Sequence, residues 1–71
     1  MTTTIKQHKT KTHYISLYAE GNLLIVEACP LCGENTCGYP VNKMSYHYSE
    51  QKKAVATFKR YIKKYTEEET L

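Results

Sequence analysis

Three thiols stand within nine residues of this 71-residue chain, in the run Cys29-Pro30-Leu31-Cys32-Gly33-Glu34-Asn35-Thr36-Cys37-Gly38. Cys29 and Cys32 are at C-x-x-C spacing, which in a turn aims both sulfurs at one centre. Cys32 and Cys37 are each followed by glycine, the residue that takes φ > 0 and can turn backbone N–H groups toward a thiolate. Two chemistries use such an arrangement: a closed tetrahedral metal site, and thiol–disulfide exchange by the C-x-x-C pair. A redox couple of that spacing normally opens a helix, and residues 33–38 carry no helical pattern, so metal binding is the preferred expectation. Passive burial of cysteine is common, but it gives no reason for clustering three thiols.

The segment resembles the knuckle of a zinc ribbon, whose loops read C-P-x-C-G. The resemblance covers residues 29–38 and departs from the ribbon in lacking a second C-x-x-C. It implies a structural Zn2+ on Cys29, Cys32 and Cys37. Structural zinc takes four donors, and the histidines supply the candidates: His13, His47 and His8. If residues 41–48 run straight away from the knuckle at ~3.3 Å per residue, His47 ends more than ~20 Å from it. His13 pairs with Pro30 in the hairpin described below, beside Cys29, so His13 is the expected fourth ligand and His47 the alternative. A site built almost wholly of thiolates is closed, and no carboxylate is placed as a general base, so no enzyme is expected.

Seventy-one residues make one small domain, whose core rarely supplies more than ~3–5 kcal/mol. A structural zinc, at roughly 10–16 kcal/mol, is a sufficient staple. An odd cysteine count argues against a secreted disulfide scaffold. The longest apolar run, residues 23–26, is far too short to cross a bilayer, and the N-terminus has no apolar leader, so a cytoplasmic protein without membrane contact is expected. Formal charge is +3. Glu67, Glu68 and Glu69 lie together, and the rest of the chain sets ten basic against four acidic residues. That excess suits an anionic partner.

Residues 1–11 are rich in Thr, Lys and His and are expected to form a flexible basic arm. Residues 12–19 alternate and are rich in β-formers; residues 23–28 are the returning strand. Gly21-Asn22 between them fits a two-residue hairpin turn with glycine first. That register sets Leu17 opposite Val26, Ile15 opposite Ala28 and Ala19 opposite Leu24, all on one face. Residues 39–48 suggest a third strand, which Pro40 confines to an edge. Ser49 is a candidate N-cap. After it Ala54, Val55, Phe58, Tyr61, Ile62 and Tyr65 form one helical stripe, and residues 67–71 form a frayed acidic tail. The expectation is an α+β fold: a small antiparallel sheet with a zinc knuckle and one C-terminal helix packed on one face, a single domain over 12–66.

Opposite the stripe the helix carries Lys52, Lys53, Lys59, Arg60, Lys63 and Lys64. These form a phosphate-binding face, or else a solvated surface of good helix formers. With one arginine and no amide placed to read bases, RNA or non-specific DNA fits better than sequence readout. Seven tyrosines exceed what one helix can cover. Tyr14, Tyr18, Tyr46 and Tyr48 are the candidate interface, for a protein partner or a second copy. Two functions follow: a nucleic-acid-binding accessory protein, or a protein-interaction module or small inhibitor of the kind bacteria and phages encode as stand-alone chains. Neither needs a small-molecule substrate.

Overall fold

The computed structural model describes residues 2–32, 35–36 and 38–68. They form β1 (Thr2–Lys9), β2 (His13–Glu20), β3 (Leu23–Cys32), β4 (Asn35–Thr36), β5 (Asn42–His47) and α1 (Gln51–Glu68). The long strands make an antiparallel sheet in the order β1-β2-β3-β5, with β4 pairing only the end of β3. The helix packs on β2, β3 and β5. The fold is therefore α+β, with one helix on one face of an antiparallel sheet.

The central hairpin follows from side-chain alternation. Leu17 pairs with Val26, Ile15 with Ala28 and Ala19 with Leu24, as the pattern predicts. Gly21 turns the chain at φ 61°, in the left-handed region that glycine enters without a Cβ clash. Ile15, Leu17, Leu24, Val26 and Ala28 are buried beneath Ala54, Phe58 and Tyr65, with Val55, Tyr61 and Ile62 at the margin. This is the predicted helical stripe meeting the predicted sheet face. Thr57 is also buried, and its Oγ1 lies 2.6 Å from the Tyr46 hydroxyl, so its polar atom is satisfied.

β5 is an edge strand beginning after Pro40. Pro30 lies within β3 without breaking a ladder bond. Leu31 N–H donates to Thr12 O toward β2, whereas Ala28 O accepts from Val41 N–H on the other side. Pro30 has the parity of Ala28, so its nitrogen points past the last β3–β5 pair, Ala28–Asn42.

Three expectations are corrected. First, Thr2–Lys9 is a strand, not an arm: it pairs with β2 from Thr2–Glu20 to Lys9–Tyr14, with a bulge at Ile5. Every one of its side chains is exposed, so backbone pairing and β-branched threonines hold it in place and no apolar pattern announces it. Second, the helix begins one residue later than Ser49 predicts. Glu50 O accepts the first helical bond from Ala54 N–H, and Glu50 Oε1 accepts from His47 N–H at 3.3 Å. Third, residues 29–32 belong to a strand rather than a turn, because Leu31–Thr36 and Cys32–Asn35 pairing prolongs β3 into a second hairpin. The expected tail beyond 68 lies outside the described residues.

Candidate functional site

The two described cysteines are separated by the strand that carries them. Side chains alternate along an extended strand, and three residues span ~10 Å. Cys29 shares the face turned away from the helix with Tyr14, its cross-strand partner. Cys29 is a free, half-buried thiol. Burial, then the charge of Glu27, pushes its pKa up, which disfavours the thiolate that ligation or nucleophilic attack needs. Cys32 is disulfide-bonded. Cys37 lies outside the described residues. Among the described residues, no three His, Cys, Asp or Glu side chains come close enough together to hold a metal ion.

His13 pairs with Pro30 as predicted, and so stands at the cysteine end of the sheet but on the helix-covered face. Its ring stacks on Tyr65, centroids 4.0 Å apart, and Nδ1 lies 2.8 Å from Thr12 Oγ1. His47 pairs with Leu23 at the opposite end of β3, six residues or ~20 Å from Cys29. Its Nδ1 lies 2.9 Å from Ser49 Oγ. His8 is on edge strand β1, exposed, opposite Ile15. His13 and His8 thus lie on the helix side of the sheet, and His47 shares the face of Cys29 through its pairing with Leu23 but at the far end of the strand, so none of the three stands beside Cys29.

The tyrosines divide between faces. Tyr14 donates to Gln7 Oε1 of β1. Tyr14 and Tyr18 lie on the helix-free face with Ile25 and Glu27. The pKa of Tyr18 is raised to about 12, first by burial and then by the nearby carboxylate of Glu27. Tyr46 is on the other face, against Thr57, and Tyr48 is exposed in the turn before α1. Of the four tyrosines expected to share an interface, Tyr14 and Tyr18 lie on one face and Tyr46 on the other.

The six helical cations are all exposed, and they fall on two flanks. At 100° per residue, Lys52, Lys59 and Lys63 share the Val55 side of α1, and Lys53, Arg60 and Lys64 the Thr57 side. Val55 and Gln51 meet Ile5 of β1 in one recess, whereas Thr57 meets Tyr46 of β5. The first trio therefore leans toward β1 and the second toward β5. Lys53 pairs with Glu50 at 2.9 Å, and Lys64 Nζ lies 5.4 Å from the Tyr65 ring centroid. Sequence periodicity placed all six on the outer surface. It missed the β1 edge that faces one trio.

No helix is long and apolar enough to cross a membrane among the described residues. No family model, curated protein or solved structure matches this chain.

Proposed function

We propose that the protein is a small, non-enzymatic accessory or regulatory module that binds nucleic acid, RNA or non-specific DNA, through the basic surface of α1. The observation that carries this reading is six exposed cations along one helix whose apolar stripe is committed to the core. Lysines on a rigid helix neutralise phosphates and release counterions without reading bases. The test is anisotropy of a labelled oligonucleotide over a salt series. Affinity falls steeply with salt, and joint reversal of Lys59, Arg60 and Lys63 to Glu removes binding. Binding that ignores both salt and those reversals rejects the reading.

Zinc belongs to this proposal as a structural cofactor of the reduced chain, on Cys29, Cys32 and Cys37 with one histidine. Support comes from the motif's spacing. Ligation requires Cys32 to be reduced and β3 to give up its extended form at 29–32, since neighbouring faces cannot serve one centre. Native mass spectrometry under reducing conditions, with and without chelator, decides it: one zinc per chain supports the cofactor, and a folded metal-free chain removes it.

A second reading is favoured by Tyr14 and Tyr18 sharing the helix-free face with Ile25 and the 43% exposed Leu23. That face suits a protein partner or a second copy. Such association survives moderate salt and is weakened by Tyr18→Ala.

A further inference from the structure

We infer that the ligand is a single strand and that it lies in the groove between β1 and α1; this rests on the nucleic-acid reading above and adds the strand state and the route. Cross-strand pairs share a face. Lys6 pairs with Leu17 and His8 with Ile15, so both rise on the helix side of the sheet, although β1 lies outside the strands that α1 packs on. Lys52, Lys59 and Lys63 lean toward them from the helix. The floor is apolar: Ile5, Leu17, Leu24 and Val55 line a recess of about 220 Å³, with Tyr48 at its mouth.

Charge complementarity selects the occupant. Cations stand on both banks, with Glu67 one helical turn beyond Lys63 at the far end of α1. The opposite flank differs, since Glu50 sits beside Lys53 there. Along α1 the three groove lysines are ~10 and ~6 Å apart at 1.5 Å per residue, a run that follows one extended backbone. The exposed ring of Tyr48 and the apolar floor offer base-stacking surface, as in sequence-tolerant single-strand binders.

The distinguishing residues are on β1. Lys6 faces the groove; Lys9, which pairs with Tyr14, faces away. The experiment is anisotropy of a labelled single-stranded RNA, its duplex form and a polyglutamate competitor. Variants are Lys6→Glu, Lys9→Glu, K52E/K59E/K63E and K53E/R60E/K64E, each checked for native circular dichroism. Expected are preference for the single strand, a salt slope reduced by roughly 0.7 per lost contact for Lys6→Glu and the groove triple, and little change for Lys9→Glu. If the two helix triples weaken binding equally, or Lys6→Glu matches Lys9→Glu, or duplex binds as well, the groove is wrong while the basic helix stands. If no variant and no salt change affects binding, both readings fail together. Polyglutamate displacing RNA at equal charge concentration assigns the groove to an acidic polypeptide and overturns the inference.

Discussion

Glu27 organises the helix-free face through two neighbours. Its charge raises the pKa of both Tyr18 and Cys29, in each case after burial. A phenol whose folded pKa is about 12 against an ordinary 10.0 binds its proton more tightly folded than unfolded. Its stabilising contribution is complete below pH 10 and is lost as pH rises from 10 through 12. Phenolate absorbance should show one of the seven tyrosines titrating near pH 12, and Glu27→Gln should lower that value; an unchanged late titration would rule out the carboxylate as a cause. The same alternation that puts Cys29 beside Glu27 puts His13 on the opposite face, against Tyr65. His13→Ala should therefore cost ~0.5–1.5 kcal/mol through the lost ring contact, read by urea unfolding of the metal-free chain. A loss of zero there would detach His13 from the packing. The pairing of His13 with Pro30 was legible in the sequence, because register follows from side-chain period. The face of each donor was legible too, but whether residues 29–32 turn or extend was not: C-x-x-C spacing serves both, and the β3–β4 ladder decides.

The hairpin and the helix were the most legible elements, each because its apolar period admits one arrangement. Leu17–Val26 and Ile15–Ala28 need no other element to choose their register, and the stripe from Ala54 to Tyr65 needs only that sheet face to cover. Phe58, 6% exposed at the centre of that contact, should cost ~3–5 kcal/mol as Phe58→Ala. In a domain of this size that loss unfolds most of the population. A cooperative transition barely shifted in denaturant would contradict the packing. Gly21 is a cleaner test of backbone conformation, since a Cβ there meets nothing within 4 Å. Gly21→Ala should cost ~1–2 kcal/mol from the left-handed φ alone. A neutral substitution would mean the turn relaxes to another type. β1 was illegible for the converse reason: eight exposed side chains have no burial period, and an edge strand held by backbone bonds resembles a polar tail in sequence.

Assembled, these elements put charge where no single one predicts it. The helix sits over β2, β3 and β5, leaving β1 as an unroofed ledge, and the bulge at Ile5 turns an apolar side chain toward the helix beside Lys6. A helix with six cations is a generic polyanion surface; the ledge makes one flank a channel with two basic banks. The sequence legibly placed the cations outside the core. The channel was hidden because it depends on β1, the one long element without an apolar signature. The most direct test is amide chemical-shift mapping of the isotope-labelled protein titrated with a short single-stranded RNA at low salt. The predicted result is a contiguous set of shifts on both banks, at Lys6 and His8 of β1 and at Lys52, Val55, Lys59 and Lys63 of α1, collapsing when salt is raised. Shifts confined to Tyr14, Tyr18, Ile25 and Cys29 on the helix-free face, or persisting at high salt, would contradict it.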